Sequence, residues 1–256
     1  MRASPEKVFT RLDVARTPVR ATLRPPTASR SHVYTIEWNH ETWVVKDFRD
    51  VSSWYRFLIG PLMTAHELRA IDELQGLPGV PADVFRVDWL ALAYRYAPGE
   101  SIRQLKRRSQ PLAEGFFPKL EAVVQSVHAR GRVHLDLRNS HNVLTSPDHD
   151  PILLDFQTSV STRYLPGPLR RLLEEVDLSG VYKNWRLFSP ATFSEAKAAR
   201  FQTIQRARRW FGYLTGRPTR RRLRNPGSSD AGGTECAPGS PSRSTGCSTT
   251  GPRGSS

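Results

Sequence analysis

Val33, Ile36 and Trp38 set the apolar positions of one run and Trp43, Val44, Val45 and Phe48 those of a second, Thr42 to Phe48, with the polar Asn39-His40-Glu41 between them. Both runs are rich in β-branched and aromatic residues, and that composition on either side of a polar turn predicts two antiparallel strands. From Trp54 to Leu74 the pattern changes. Leu62, Ala65, Leu68, Ile71 and Leu74 recur at roughly helical spacing, and Gly76-Leu77-Pro78-Gly79 ends the run. Val84 to Tyr96 predicts two further short strands around Asp88, closed by Ala97-Pro98-Gly99-Glu100. After residue 100 the pattern turns mainly helical: Leu112 to Arg130 carries Phe116, Leu120, Val123, Val124 and Val127 on a helical period and stops at Gly131. Short apolar stretches follow at Arg132–Asp136, Val143-Leu144 and Pro151–Phe156, and then helices are predicted at Leu169–Val176 and Ser194–Leu214.

These changes of pattern divide the chain. Residues 1–28 read as an N-terminal leader or loose first strand, with little periodicity and Pro25-Pro26 at its end. Residues 29–97 read as a small sheet plus one helix, residues 98–216 as a mainly helical part, and residues 217–256 as a Gly/Ser/Pro-rich basic tail. The tail has almost no aliphatic residues to offset the entropy of ordering, so disorder is expected there. The order of elements predicts an α+β fold.

Length and composition sharpen this picture by exclusion. A chain of 256 residues that is 38% hydrophobic is long enough to bury a substantial core, which excludes a wholly disordered or fibrous class. No stretch approaches the ~20 consecutive apolar residues of a membrane span, and the N-terminus lacks the apolar segment of a secretory signal. A cytoplasmic location is expected. Cys236 and Cys247 both lie in the tail, so neither a disulfide framework nor a cysteine-based zinc site is expected to hold the fold.

The formal net charge is +14, yet only six of the 38 basic residues are lysines. Arginine spread along the chain without a zinc finger, helix-turn-helix or RNP-type pattern is a weak nucleic-acid signal. The run Arg206–Leu214 with Arg220-Arg221-Arg222 sets aromatics beside arginines; it reads first as a terminal helix with a solvated basic face, and second as a surface for anionic lipid or RNA. His128, His141 and His149 lack zinc-ligand spacing. His134 reads as a packed, hydrogen-bonded residue that shapes its loop.

The most informative stretch is His134-Leu135-Asp136-Leu137-Arg138-Asn139-Ser140-His141-Asn142-Val143-Leu144, followed by Ile152-Leu153-Leu154-Asp155-Phe156-Gln157. Upstream, Lys46 ends the strand Trp43-Val44-Val45-Lys46, and Glu67 sits on the helix after it, with Glu73 as a second carboxylate on that helix. Taken singly, each of these residues also has an ordinary structural reading: a strand-edge lysine, an exposed helix charge, a turn-capping Asp or Asn. Their order across the chain is the stronger signal.

That order resembles the protein-kinase-like superfamily, and within it the RIO-like and lipopolysaccharide-kinase-like branch of small bacterial serine/threonine kinases. Val44-Val45-Lys46-Asp47, Glu67 through Gly76-Leu77-Pro78-Gly79-Val80-Pro81, and His134–Asn139 carry the likeness, over about residues 29 to 190. Asp177-Leu178-Ser179-Gly180-Val181-Tyr182-Lys183 is similar to that branch as well, with no mechanism attached. The resemblance implies a two-lobed fold, with a small antiparallel sheet plus helix as the N-lobe and a compact, mainly helical C-lobe. It implies transfer of the γ-phosphate of Mg-ATP to a hydroxyl, a reaction that needs positioning and charge neutralisation more than covalent chemistry. Asp136 would then be the base and Arg138 the cation near the γ-phosphate. Lys46 would grip the nucleotide phosphates, oriented by Glu67. Asn142 and Asp155 would hold Mg²⁺, with Asn139 a rival to Asn142, and the nucleotide would lie near Tyr94 and Tyr96.

Three departures from the family pattern bear on these expectations. Thr27-Ala28-Ser29-Arg30-Ser31-His32 stands where a glycine-rich phosphate cover would be. Asn142 follows Asp136 by six residues rather than five. Gln157 replaces the glycine after Asp155-Phe156, which argues for a constitutive protein without a flipping switch. The expected partner is a phosphoacceptor, with protein serine or threonine favoured. The alternatives are a small-molecule kinase for a sugar, heptose or aminoglycoside, a pseudokinase or nucleotide-binding scaffold, and, on charge alone, an RNA-associated ATPase.

Overall fold

Asn39 and His40 both take left-handed backbone, at φ 51° and 63°. That conformation matches the twist of a two-residue hairpin turn, so the chain reverses there. The hairpin joins β2 (His32–Trp38) to β3 (Glu41–Asp47) in full register, with Trp38 opposite Glu41 and His32 opposite Asp47. In the computed structural model, which describes residues 8–214 and the side chains of residues 8–206, this pair is the centre of a five-stranded antiparallel sheet. Its outer strands are β1 (Ala21–Arg24) beside β2, and β5 (Ala91–Arg95) then β4 (Phe85–Arg86) beside β3. The molecule is mixed α and β, with this small sheet and several helices. Among the described residues no helix is long and apolar enough to cross a membrane. The tail, both cysteines and the side chains from Ala207 to Leu214 lie outside the described residues.

Residues 8–28, read from sequence as leader or loose strand, are a working part of the sheet. Helix α1 (Arg11–Arg16) begins with a capping box in which the Thr10 hydroxyl accepts from Asp13 N while the Asp13 carboxylate accepts from Thr10 N. Phe9 and Val14 cover one face of the sheet together with Tyr34, Ile36, Trp43, Val45 and Phe85. Arg11 pairs with Asp47 and Asp88. Two buried anchors five residues apart, Phe9 and Val14, give no period to read, which is why this segment looks featureless as a string.

The opposite face of the sheet, with Val44, Leu92 and Tyr94, packs on α2 (Gly60–Glu73) and on into the larger core. Helix α2 is preceded by a π-helical turn at Tyr55–Ile59. The buried positions of α2 are Gly60, Thr64, Glu67, Ala70 and Ile71, whereas Leu62 is 61% exposed alongside Trp54, Phe57 and Leu58. The helix is thus rotated from the face that its leucines predict. A buried carboxylate, not a leucine, sits at its centre, because that face meets Lys46.

The second half starts with β6 (Glu100–Ser101) and a short α3 (Ile102–Arg107), a helix the hydrophobic pattern misses but Ser101 and Gln104 announce through a second capping box. Then come α4 (Phe116–Ala129), β7 (Arg132–Val133), β8 (Val143–Thr145), β9 (Pro151–Leu153), a 3₁₀ turn at Phe156–Thr158, β10 (Val160–Ser161), α5 (Gly167–Phe188) and α6 (Glu195–Leu214). Strands β6, β8 and β9 form one small antiparallel sheet; β7 and β10 form another. Helix α5 is far longer than the predicted Leu169–Val176. Its extension buries Asp177, Gly180, Val181, Asn184 and Trp185 along one face, and that face holds the loop described next.

Candidate functional site

The alternation along β3 decides where Lys46 points. Trp43 and Val45 go to the Phe9 side, so Val44 and Lys46 go to the α2 side. There the Lys46 ammonium, only 3% exposed, lies 2.7 Å from Glu67 Oε2 and 2.8 Å from Asp155 Oδ1. Three segments that are distant in sequence meet on one cation. Glu67 rather than Glu73 is its helix partner; Glu73 bonds Arg132 at 2.7 Å and Arg69 at 3.0 Å. Arg132 also donates to Ser159 Oγ, and His66 contacts Ser159 O at 2.8 Å, which ties α2 to the segment just beyond Asp155.

The two carboxylates on Lys46 differ in the balance of the same forces. Burial raises the Glu67 carboxyl pKa, and the attraction of Lys46 only partly offsets it. Burial also opposes ionisation of Asp155, but Lys46 and Arg24 outweigh it and hold that carboxyl below its ordinary value. Arg24, at the end of β1, stands 3.6 Å from Asp155 Oδ2 and donates to Ser31 Oγ. Arg24 stands just before the Thr27–Ser31 turn, where its sequence position alone gives no sign of this contact. The tip of that turn is fastened down, since Ser52 donates to Ala28 O through both its N–H and its hydroxyl.

Asp136 lies on the loop between β7 and β8. Asn142 Nδ2 donates to Asp136 Oδ2 at 2.8 Å and to its backbone oxygen at 3.2 Å, while Asn139 Nδ2 stands 3.4 Å from the same carboxylate. Leu154 N donates to Asn142 O at 2.9 Å, and Val143 pairs with Leu153, so Asn142 is sewn to the residue before Asp155. Asp136, Asn142 and Asp155 are therefore neighbours in one site, with Lys46 and Glu67 on its other side. Leu135 and Asp155 both take left-handed backbone at φ 65°. For non-glycine residues this conformation is costly and persists only where surroundings enforce it.

A buried carboxylate does the enforcing at Leu135. Asp177, on α5, accepts from His134 N and Leu135 N, each at 2.6 Å, and contacts His128 Nε2 at 3.1 Å. Asn184 donates to Leu137 O, and Lys183 to Arg138 O, both at 2.9 Å. Between them, a Cβ at Gly180 would stand 2.8 Å from Arg138 N. Asp177, Gly180 and Asn184 follow helical spacing, so the stretch that carried no mechanism in the sequence is the bed of the Asp136 loop. His134 is fully buried and bridges the same parts: its Nδ1 accepts from Asp136 N and its Nε2 donates to Leu154 O at 2.9 Å, the pattern of the Nε2–H tautomer.

The remaining predicted residues fall in two places. Tyr94 is buried in the core, and burial, reinforced by Glu67 and Asp155, raises the pKa of its hydroxyl. Tyr96 is half-buried on the same core. Arg138 lines a cavity with residues of α5 and α6. The side-chain oxygens of Asp155 and Asn142 form a hard, oxygen-only donor pair of one carboxylate and one amide. Such a pair fits Mg²⁺, which retains waters and takes one or two carboxylates plus phosphate oxygens, and it does not fit zinc. No protein-family model matches this sequence, and no curated protein matches it significantly.

Proposed function

We propose that the chain is an ATP-dependent phosphotransferase of the two-lobed protein-kinase-like kind, which moves the γ-phosphate of Mg-ATP to a hydroxyl, with protein serine or threonine as the favoured acceptor. The observation that carries this reading is Lys46 held between Glu67 and Asp155 at 2.7 and 2.8 Å, beside the Asp136–Asn142 pair. A lysine fixed by a helix carboxylate is aimed to bind nucleotide phosphates as a point charge. Asp155 and Asn142 would hold Mg²⁺, which neutralises charge on the phosphate oxygens when bound. Asp136 would take the acceptor hydroxyl's proton as that oxygen bonds to the γ-phosphorus and the bond to the β,γ-bridging oxygen breaks, releasing ADP. The strained backbone at Leu135 and Asp155 supports a site whose geometry is set before substrate arrives.

The test follows label from γ-labelled ATP with magnesium, in cell extract, for the wild type and Asp136→Asn. Transfer that depends on Asp136 while Mg-ATP binding survives supports the assigned base. Loss of binding and transfer together overturns that role. A small-molecule hydroxyl is the second reading, favoured by the cavity beside Arg138.

A further inference from the structure

The leucines that α2 turns away from the core belong to a larger face. Trp54, Leu58 and Leu62 follow one another at intervals of four along the continuous helical segment made by the π turn and α2, so they share one side of it. Trp54, Phe57, Leu58 and Leu62 are 64, 60, 65 and 61% exposed. Trp89, at the tip of the β4–β5 hairpin and exposed as well, extends the face, its ring stacked on that of Phe57 with centroids 6.0 Å apart. Exposed apolar residues scattered singly are ordinary, but a patch of large ones drawn from two elements marks an interaction surface. The platform beneath is firm. Phe48, Val51 and Leu90 form a small buried cluster there, and Gly60 lets the helix close on it, since a Cβ at that position would stand 3.1 Å from Leu90 Cδ2 and 3.2 Å from Phe48 Cβ. The patch carries charge of one sign only. From Val51 to His66 the chain has no Asp or Glu, and the next acid, Glu67, points inward to Lys46. Arg56 lies over the Phe57 ring, 4.8 Å from its centroid, and donates to Arg49 O. Arg49 is exposed, and its guanidinium makes no ion pair or hydrogen bond among the described residues. The acids closest in sequence have other partners, Asp47 and Asp88 with Arg11 and Asp50 with His32 at 3.6 Å.

We propose that this face docks the protein on the surface of a bilayer that contains anionic lipid, with Trp54, Phe57, Leu58, Leu62 and Trp89 entering the boundary between headgroups and acyl chains and Arg49 set against the lipid phosphates. Tryptophan, phenylalanine and leucine on one side of a helix, edged by arginine, suit that boundary, and indole rings favour the wet edge of an apolar layer. Helix α2 would lie on such a surface and not cross it: among the described residues no helix is long and apolar enough to span a membrane, and the other side of α2 carries Glu67. A second copy of the chain fits the face less well, because a two-fold contact would set its arginine edge against itself in a chain of net charge +14. Glu67 points inward, so docking leaves its contact with Lys46 in place. Docking of this kind is independent of phosphate transfer and is measured without ATP.

The full chain is sedimented with vesicles of phosphatidylcholine alone or mixed with phosphatidylglycerol, as wild type, Leu58→Gln/Leu62→Gln, Trp89→Gln and Arg49→Gln. Glutamine keeps the helix propensity at the exposed leucines. Residues 206–256 are the same in every chain, so any pull of the basic tail is common to all. Expected are binding that strengthens with phosphatidylglycerol and a loss of about tenfold for each apolar side chain replaced, roughly a hundredfold in the leucine variant. Arg49→Gln should lose about fivefold, and only on the mixed vesicles. Urea-unfolding midpoints check that the leucine variant folds as wild type does; if it does not, Trp89→Gln reads the same face from another element. Binding that is the same in wild type, the leucine variant and Trp89→Gln assigns the membrane contact to the tail and overturns the proposal. Binding indifferent to phosphatidylglycerol overturns it as well. Sedimentation equilibrium without vesicles covers the other occupant: a dimer that the leucine variant loses, with no vesicle binding, gives the face to a second copy and rules out lipid docking.

Discussion

Lys46 and the Asp136 loop lie in one site but are held by opposite means. At Lys46 charge holds charge: one buried ammonium is shared by Glu67 and Asp155, brought from a helix and from a loop 109 residues away. At the loop a charge holds the backbone: Asp177 accepts two main-chain N–H groups, and Gly180 and Asn184 support the next turn of chain. The first arrangement fixes the position of a functional group and leaves its charge balance tunable by pH. The second fixes a strained main-chain shape. The comparison teaches that a site's geometry is set as much by a carboxylate beneath its backbone as by the charges that face one another across it.

The largest effect expected follows from removing the loop's anchor. Asp177→Ala leaves two buried N–H groups and His128 without their acceptor, and should cost about 3–5 kcal/mol in urea unfolding; a loss under 1 kcal/mol would mean that the loop holds itself. Lys46→Met should cost about 3 kcal/mol near neutral pH, and less in acid where Glu67 binds a proton and needs no counter-charge. A cost that does not shrink on acidification would contradict the account of Glu67. Gly180→Ala forces a methyl group against Arg138 N and should destabilise by about 1–3 kcal/mol. Label transfer should fall with it, while Mg-ATP binding stays near wild type.

Smallest are the pH slopes of the two α2 glutamates, which share an ordinary value of 4.5. Glu67 is raised in the folded chain, so the stability linked to it is present below 4.5 and is lost as pH rises. For Glu73, burial is outweighed by Arg132 and Arg69, and the value is lowered. Its contribution is present above 4.5 and is lost as pH falls. Unfolding midpoints of Glu67→Gln and Glu73→Gln measured on both sides of that value should therefore diverge from wild type in opposite directions. Parallel curves would remove the distinction between the inward and the outward glutamate.

Much of the frame was legible in the chain. The β2–β3 hairpin, the strands flanking Asp88 and the helix ending before Gly131 follow from period and composition, because each buries a continuous face and the pattern of burial is written locally. Helix α3 is marked in the chain by the Ser101/Gln104 capping box alone, because six residues are too short to show an apolar period. The candidate residues Lys46, Glu67, Asp136, Asn142 and Asp155 stood out by order and spacing. The structure brings all five together.

What the sequence could not decide is which charges meet. Helix α2 offers Glu67 and Glu73 with comparable local surroundings, and only the rotation of the helix on the sheet sends one to Lys46 and the other to Arg132. Phe9 and Val14 have no periodic neighbours, so the sheet face that they cover had to exist before their segment could be read as structure. Asp177, Gly180 and Asn184 look like ordinary helix polarity until the Asp136 loop lies across them. Phe57 and Trp89 come from two segments and form one exposed face only where the β4–β5 hairpin meets the π turn. Local propensity and periodicity act over a few residues and are therefore carried by the chain itself. Burial of charge and sharing of a counter-ion are properties of a three-dimensional neighbourhood, and only the folded packing sets them.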